Sequence, residues 1–441
     1  MNRLNNEKLS ARLRFGKGLV VSFVVALAIS ALSIPALGQA VADWDKRFEF
    51  RADVVAATTL VESDEILAVG KFGMMALINF DGNDSTARMI TGDVNEDLIS
   101  VAALNDNGAA LVGGSEGNIY RYENGEISLI QNLGPDAVLD ISVQRDVIDA
   151  WGNYGEIFSV WASGGRGILA VSTDAGRSFQ DAAPKRVVQP SLTLPNRREG
   201  MWFSGVGNIY EDTIKLRAKV NGRWAEMGKD FILNPEDGIM EVFTDLDASP
   251  TPTLSFEFHP GPPFQAGDFS LNKIMFQDDL ITAVGEFGFI IQTEDFGKTW
   301  VRQAGVLTAN DMGTPYWISG EADGDTIVLV GAGGMTARST DRGKTWESLP
   351  DPSDGGVFGV SLDAGPDKPL VMGAVGLLGQ LEGDAWDLVD RTQLSLFSWL
   401  KTALKIDGNT LLALGGRGSC VYKTGESWDR CSIAISTDDE I

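Results

Sequence analysis

The chain has 441 residues, of which 51 are glycine and one is histidine, and it carries 36 basic and 61 acidic side chains. A net charge of −25 argues against a nucleic-acid partner, because phosphates need a basic face. Disorder is excluded for most of the chain, since 44% of the residues are hydrophobic. The single histidine, His259, excludes zinc sites with two or three imidazoles. Its proline-rich turn, FHPGPP, favours an exposed loop residue over a catalytic one.

Residues 1–42 have the pattern of a secretory signal peptide. Five basic residues precede an apolar run at 19–32, and AVA at 40–42 fits the small-x-small rule for cleavage before Asp43. We therefore expect a periplasmic or secreted protein without a membrane span after cleavage, the alternative being an uncleaved anchor. Removing this segment leaves 31 basic and 60 acidic residues, a net charge of −29. That charge favours cationic partners, or serves only to keep an exported protein soluble.

A short apolar strand followed by G-x-x-G recurs seven times along the chain. The last glycines of consecutive copies are 42 to 50 residues apart, except for one interval of 121 residues. This period, built from short strands, predicts a β-propeller. It also accounts for most of the excess over the roughly 31 glycines of an average composition. The copies end at Gly73, Gly117, Gly167, Gly288, Gly334, Gly376 and Gly418.

A second motif, S/T-x-D-x-G-x-S/T-W/F, follows the third, fourth and fifth copies at a fixed distance. It is the Asp-box pattern of a hairpin turn, in which Ser or Thr and Asp bond nearby backbone groups and Gly supplies a positive φ. The final aromatic residue then packs between sheets. We assign the boxes a structural role, because none carries the D-x-D-x-D-G run of calcium loops. The box residues are Ser172, Asp174, Gly176 and Phe179; Thr293, Asp295, Gly297 and Trp300; and Ser339, Asp341, Gly343 and Trp346.

These motifs resemble the Asp-box (BNR repeat) propellers. The run AVGxxGxIxxTxDxGxTW at 283–300 resembles the photosystem II assembly and stability factor family and its exported bacterial homologues outside photosynthesis. The resemblance covers about Ala68 to Trp428, apart from the long interval. It implies a seven-bladed, non-enzymatic propeller, without cofactor or metal, that binds membrane-protein subunits during assembly; an envelope export complex is a further candidate partner. Photosynthetic members use a basic surface patch, from which a net charge of −29 departs.

Sialidases share the Asp box, so the alternative is a sialidase-type glycoside hydrolase or a glycan-binding propeller. Their N-terminal R-I-P motif is absent, and neither an arginine triad nor a Tyr/Glu nucleophile can be assigned. Arg166 and Arg417, each directly before a repeat glycine, are interpreted as turn residues and not as carboxylate clamps. We therefore predict no catalytic residues. Paired carboxylates and clustered arginines at the mouth of a central channel would favour the hydrolase.

The long interval is interpreted as a small β-domain inserted over residues 190–268. Asn221-Gly222 after an alternating strand signals a hairpin. The competing interpretation is an extra degenerate blade, because MWFSGVGNIY at 201–210 echoes the repeat. Inserts and loops carry binding more often than cores do. The predicted fold is thus all-β, with a signal peptide at 1–42, propeller blades at 43–189 and 269–441, and the insert between them.

The chain ends are predicted to close the ring. Residues 48–54 alternate as a strand does and could complete the last blade, whose own box has decayed to KTGESW at 423–428. Cys420 and Cys431 can pair in an oxidising compartment, and a bridge across that hairpin would compensate for the missing aspartate. The expected molecule is a monomeric scaffold that binds proteins of a membrane or envelope complex.

Overall fold

The computed structural model describes residues 48–436 except 62, 64, 106–107, 148–153, 195–196, 261–269, 304–314 and 354. The expected signal peptide at 1–42 and its cleavage site lie outside the described residues. Within them, no helix is long and apolar enough to cross a membrane. The helices of this part are short 3-10 turns at Lys71–Gly73, Gly82–Asp84, Gly165–Gly167, Glu211–Thr213, Glu286–Gly288, Ala332–Gly334, Ala374–Gly376 and Gly416–Gly418.

Most of the described chain folds into antiparallel four-stranded meanders, which we number sheets 1 to 7 in chain order. Their second strands are apolar and almost completely buried, as Ile66–Val69 show, because neighbouring sheets cover both faces. After β1 (Phe48–Glu49), sheet 1 contains β2 (Val54–Thr59), β3 (Glu65–Gly70), β4 (Met75–Asn79) and β5 (Ser85–Met89). Sheet 2 contains β6 (Leu98–Ala103), β7 (Ala110–Gly114), β8 (Asn118–Glu123) and β9 (Glu126–Asn132). Sheet 3 contains β10 (Val138–Val147), β11 (Tyr154–Gly164), β12 (Leu169–Ser172) and β13 (Gln180–Asp181).

The segment between sheets 3 and 4, here called the insert, adds strands to the outer edge of sheet 4. The first of them pairs in parallel with Trp300–Arg302, the last strand of that sheet. The first strands of sheets 3 and 4 contact each other directly, which differs from an extra blade between them. The insert contains β14 (Val187–Thr193), β15 (Gly200–Phe203), β16 (Lys215–Arg217), β17 (Lys219–Val220), β18 (Arg223–Trp224), β19 (Phe231–Leu233), β20 (Ile239–Val242) and β21 (Thr253–Phe258).

Sheets 4 to 7 repeat the meander. Sheet 4 contains β22 (Leu271–Gln277), β23 (Leu280–Gly285), β24 (Ile290–Thr293) and β25 (Trp300–Arg302). Sheet 5 contains β26 (Trp317–Asp323), β27 (Thr326–Gly331), β28 (Thr336–Ser339) and β29 (Glu347–Ser348). Sheet 6 contains β30 (Val357–Ser361), β31 (Leu370–Gly373), β32 (Leu378–Glu382) and β33 (Ala385–Leu388). Sheet 7 contains β34 (Leu400–Lys405), β35 (Thr410–Gly415), β36 (Cys420–Thr424) and β37 (Ser427–Arg430), and β38 (Ile433–Ile435) follows.

Within the insert, two groups of strands differ in their attachment. Sheet 4 and the insert form one seven-stranded sheet of order β16-β21-β14-β25-β24-β23-β22, whereas β15-β20-β19 form a separate sheet and β17 pairs with β18. Phe256 and Phe258 belong to the same buried cluster as Trp161 of sheet 3 and Phe289 of sheet 4. The insert therefore shares its core with the repeats.

The first strands of the seven sheets contact one another in cyclic order. β2 contacts β6, and the series continues through β10, β22, β26, β30 and β34 until β34 contacts β2. Each of these strands has a register shift just after its first residue, so every sheet bends at the same point. The shifts follow Val54, Leu98, Val138, Leu271, Trp317, Val357 and Leu400.

The chain ends meet at sheet 1, and the proposed completion of the last blade by residues 48–54 is wrong. β1 is limited to Phe48–Glu49 and pairs with β38, which pairs in parallel with β5 of sheet 1. Sheet 7 needs no further strand, because the decayed box still forms a hairpin in which Gly425 has a φ of 75°. Cys420 and Cys431 form a disulfide, with 5.2 Å between their Cα atoms. Both are buried at the end of this hairpin opposite its turn, so the bridge does not lie where the box aspartate is missing.

Candidate functional site

Two kinds of turn stand at opposite ends of the sheets. In all seven sheets the G-x-x-G turn joins the second strand to the third. In sheets 3, 4 and 5 the Asp box joins the third strand to the fourth. Because consecutive strands of a meander run in opposite directions, these turns lie at opposite ends of each sheet. We call them the glycine end and the box end.

Each Asp box bonds to its own backbone. In sheet 3 the Ser172 hydroxyl donates to Asp174 Oδ1 at 2.6 Å, and the Gly176 amide donates to Ser172 Oγ at 2.9 Å. The Ser178 hydroxyl donates to the other Asp174 oxygen at 2.6 Å. The boxes of sheets 4 and 5 repeat the first two bonds. The box glycines all have a positive φ: Gly176 79°, Gly297 82° and Gly343 81°.

These hydrogen bonds hold the box carboxylates in their charged form. Burial opposes the charge of Asp174, but bonds from the hydroxyls of Ser172 and Ser178 and from the amides of Ser178 and Arg177 outweigh it and lower its pKa to about 2. A backbone amide likewise lowers the pKa of Asp295. Carboxylates held in this way have no proton to donate near neutral pH.

The aromatic residue that ends each box packs against neighbouring sheets. Phe179 and Trp300 are buried, and Trp346 is half-buried with its Nε1 donating to a backbone oxygen at 3.0 Å. Trp300 of sheet 4 meets Trp161 of sheet 3 edge to face, with ring centroids 6.2 Å apart. The aromatic residues that end the boxes therefore contribute to the packing between sheets at the box end.

The glycine turns place bulky side chains in a conformation that suits glycine. The first glycine is required by space, since a Cβ on Gly70 or Gly285 would overlap a backbone oxygen of the neighbouring strand. The third residue is left-handed in six of the seven turns, which costs a non-glycine residue about 1–3 kcal/mol. These residues are Phe72 (φ 56°), Arg166 (50°), Phe287 (55°), Gly333 (68°), Val375 (54°) and Arg417 (55°).

Hydrogen bonds link the glycine turns to the connections between sheets. The Phe72 amide donates to Asp97 Oδ1 at 2.8 Å, and the Arg417 amide donates to Asp53 Oδ1 at 2.8 Å. Each carboxylate directly precedes the first strand of the next sheet, so each turn is bonded across a sheet boundary. Arg166 forms an ion pair with Asp136 at 3.2 Å. Arg166 and Arg417 are thus both turn residues in the structure.

Large apolar and aromatic side chains are exposed at the glycine end. Phe72 is 88% exposed, and Phe287 and Val375 at the same turn position are exposed as well. Phe397, 71% exposed, lies on the connection into sheet 7. Tyr316, on the connection into sheet 5, is exposed and donates its hydroxyl to Glu286 of a glycine turn at 2.8 Å. The glycine end therefore exposes aromatic side chains on turns that are hydrogen-bonded to the connections between sheets.

Charged side chains on the first strands form a polar cluster where the sheets converge. Lys273 Nζ lies 2.8 Å from Asp140 Oδ1, and the Ser142 hydroxyl donates to Asp140 Oδ2 at 2.7 Å. Burial lowers the pKa of Lys401, which also interacts with Asp140 and Lys273 although its own sheet 7 adjoins sheets 6 and 1.

Glu321 of sheet 5 and Asp363, which follows the first strand of sheet 6, add two carboxylates to this polar cluster. The Leu362 amide donates to Glu321 Oε2 at 3.0 Å, while burial and then the charge of Asp363 raise the pKa of Glu321 to about 7. The described residues of the seven first strands contain one arginine, Arg145, whose guanidinium donates to Ala103 O at 3.3 Å. An arginine cluster of the kind a sialidase uses is therefore not found among those strand residues.

Two further features of the sequence bear on a catalytic or metal site. His259 is exposed, and its amide donates to Asn208 O at 3.0 Å. In the part of the chain that the structure describes, no three His, Cys, Asp or Glu side chains are grouped so that they could hold a metal ion. The sequence analysis did not single out the exposed apolar side chains of the insert, such as Met201 and Phe203.

Repeated antiparallel meanders whose first strands meet in cyclic order define a β-propeller. No family model matches the sequence, and no curated protein matches it. Among solved structures, the chain is similar to YCF48 bound to a D1 peptide, at 12% identity over 86% of this chain and 96% of that chain, with a TM-score of 0.49. It is also similar to YCF48 from Cyanidioschyzon merolae (11%, 85% and 96%, TM-score 0.48). The WD40 propeller domain of Doa1 is similar at 8% identity (87% and 94%, TM-score 0.47).

Proposed function

We propose that this chain is an exported seven-bladed β-propeller with an inserted β-domain, and that it acts as a non-enzymatic protein-binding scaffold. The cyclic contacts of the first strands support seven blades, and the attachment of the insert to the edge of sheet 4 supports an insertion. The Cys420–Cys431 disulfide supports an oxidising compartment such as the periplasm or the exterior. We also propose that the mature chain is exported and monomeric.

The exposed apolar side chains of the glycine end are the observation that carries the binding role. Phe72 and Val375 occupy left-handed positions and are exposed, so packing within the chain offers little compensation for their conformational cost. Gly333 takes the same position in sheet 5 without that cost. Strain that persists at an exposed site points to a use outside the fold, and aromatic anchors are characteristic of protein interfaces.

The partner that the motif resemblance implies is a subunit of a membrane or envelope complex. One of the similar solved structures is YCF48 bound to a D1 peptide. The binding role of this chain is inferred from its own glycine end and not from that similarity. The geometry favours this role over a sialidase-type hydrolase, because the box carboxylates are bonded within their turns. On the first strands, Asp140 pairs with Lys273, and the described residues of these strands include a single arginine, Arg145.

Site-specific photo-crosslinking in the native envelope tests the scaffold role. A photoreactive residue replaces Phe72 or Phe397 in the mature chain, and the matched controls replace Leu129 or Leu388, which are exposed apolar residues on outer strands. We expect the same discrete protein adduct from both glycine-end positions and none from the controls.

Equal adducts from all four positions, or none from any, would contradict a binding surface at the glycine end. Hydrolysis of a glycoside by the purified mature chain, lost on Glu321→Gln, would instead support the enzymatic alternative.

A further inference from the structure

The exposed face of the three-stranded sheet of the insert is apolar. Its register puts Met201, Glu241 and Ile232 in one row across the three strands and Phe203 opposite Ile239 in the next. Met201 is 77% exposed, and the other four side chains are exposed too. Directly opposed side chains on one face lie about 5 Å apart, so these residues form a continuous surface. We call it the insert face, with these members: Met201, Phe203, Ile232, Ile239, Glu241 and Phe243.

The orientation of this sheet is fixed by its opposite face. Met240, Val242, Phe231 and Leu233 alternate with the exposed residues and are buried in the shared core of the insert and sheets 3 and 4. A slip by one residue would exchange the two faces and expose that core.

An acidic group lies within the apolar row. Glu241 stands between Met201 and Ile232, and its carboxylate has no hydrogen bond or ion pair to a residue that the structure describes. Glu199 and Glu236, on adjoining loops, are exposed. Nearby basic side chains are held by other acids, with Arg198 at 2.9 Å from Asp245, Lys229 at 3.5 Å from Glu226 and Arg223 at 2.6 Å from Asp230. The insert face is therefore apolar with a negative centre and rim.

We propose that the insert face binds a protein segment whose apolar side chains flank a lysine or arginine, with the basic group meeting Glu241. The inference rests on the scaffold role but uses a surface other than the glycine end. Covering the face would remove Glu241 from water, and a buried carboxylate must be paired. A cationic partner supplies that pair and matches the net charge of −25. Methionine and phenylalanine fit such an interface because their side chains adapt or anchor.

Fluorescence anisotropy with two labelled dodecapeptides tests the charge requirement. One peptide alternates leucine with lysine and the other leucine with glutamate, and each is titrated with the mature chain at 0.15 M salt. We expect binding of the leucine–lysine peptide only. Glu241→Gln should weaken it about tenfold, and Glu241→Lys should transfer binding to the leucine–glutamate peptide. The control Glu126→Gln, at an exposed strand position of sheet 2, makes the same charge change and should alter affinity less than twofold.

The apolar requirement is tested with a second pair of variants. Ile232→Thr should weaken the leucine–lysine peptide severalfold, whereas Leu129→Thr, also on an exposed strand face, should leave it unchanged. Unchanged thermal unfolding verifies that each variant is folded.

Equal weakening by Glu241→Gln and Glu126→Gln would overturn the proposal in favour of general attraction to an acidic protein. Absence of peptide binding, together with a sedimenting dimer that Ile232→Thr dissociates, would overturn it in favour of a second copy on this face. Adducts at Phe72 without peptide binding would leave the scaffold role standing and refute only the present inference.

Discussion

The glycine end and the box end use similar turns for different purposes. Both contain left-handed residues that are not glycine, such as Phe72 at the glycine end and Phe296 at the box end. Phe296 is 43% exposed but packs edge-on against Trp161, with ring centroids 5.4 Å apart, whereas Phe72 is 88% exposed. The side chains of the box turns bond within the turn, as Ser172 does, and a box turn is also bonded to the neighbouring sheet through Gln292 Nε2 and Arg342 O. The glycine turns are bonded to the connection that leads into the next sheet. The same left-handed conformation therefore places a side chain against the neighbouring sheet at the box end and into solvent at the glycine end.

The largest contrast is expected between buried and exposed aromatic residues at the two ends. Trp300→Ala removes a box residue that is buried between sheets 3 and 4 and should cost about 3–5 kcal/mol of unfolding free energy. Phe287→Ala, at the glycine end of the same sheet, should cost less than about 1 kcal/mol because the ring is exposed. Denaturant unfolding of both variants measures the difference, and equal losses would remove the distinction between the ends.

The first strands should give stability a pH dependence of opposite sign to that of the boxes. Burial, then Asp363, raises the pKa of Glu321 from 4.5 to about 7, so the folded state binds this proton more tightly than the unfolded chain. The stability that it contributes is complete below pH 4.5 and is lost as the pH rises through 7, by up to about 3 kcal/mol. Glu321→Gln should flatten thermal stability between pH 4.5 and 7 and raise the melting temperature at pH 8.

Asp174 supplies the matched comparison for that titration. Its pKa is lowered to about 2 in the folded state, so the stability that it contributes is present above pH 3.8 and is lost as the pH falls toward 2. Asp174→Asn should therefore change the profile below about pH 4 and leave the slope between pH 4.5 and 7 intact. If Glu321→Gln leaves that slope intact as well, the raised pKa of Glu321 is refuted.

Sheet 7 lacks an Asp box and carries its covalent tie near the glycine end. The Cys420–Cys431 bridge spans eleven residues and is buried where sheet 7 meets sheet 1. On the chain-entropy model its removal should cost about 3 kcal/mol. Replacing both cysteines with serine, or reducing the oxidised protein, should lower the melting temperature. An unchanged transition with both thiols demonstrably free would contradict this role.

The smallest expected change in unfolding free energy comes from the left-handed position of the glycine turns. It distinguishes a cost of backbone strain from a gain of side-chain packing at that position. Phe72→Gly removes an exposed ring from a left-handed position and should stabilise the fold by about 1 kcal/mol. Gly333→Val makes the reverse change at the equivalent turn, where an added Cβ meets open space, and should destabilise by a similar amount. Calorimetry of the two variants measures both signs. A destabilised Phe72→Gly would show that the ring is needed for folding.

The repeat and its glycine turns could be predicted because they depend on local requirements. Gly70 is required because a backbone oxygen lies too close for a Cβ, and Gly176 because its φ is positive. Asp174 forms hydrogen bonds to residues two to four positions away. Each requirement therefore leaves a pattern within a few consecutive residues of the sequence.

The remaining features depend on partners that are far apart in sequence. Phe48–Glu49 pairs with a strand that begins at Ile433, and no local pattern distinguishes this from completion of the last blade. Lys273 meets Asp140, 133 positions earlier in the sequence, only because the first strands converge. The insert face was missed because most of its exposed positions carry apolar side chains, as Ile239 does in IMEV at 239–242, and are hard to distinguish from buried positions by sequence.

One paired measurement tests the assignment of binding to the glycine end and folding to the box end. Phe72→Gly and Asp174→Ala are compared for unfolding free energy and for recovery of the crosslinked partner through Phe397. We predict that Phe72→Gly loses the partner adduct without losing stability, and that Asp174→Ala loses about 1 kcal/mol and keeps the adduct. The opposite pattern, with the adduct lost in Asp174→Ala and retained in Phe72→Gly, would contradict the account.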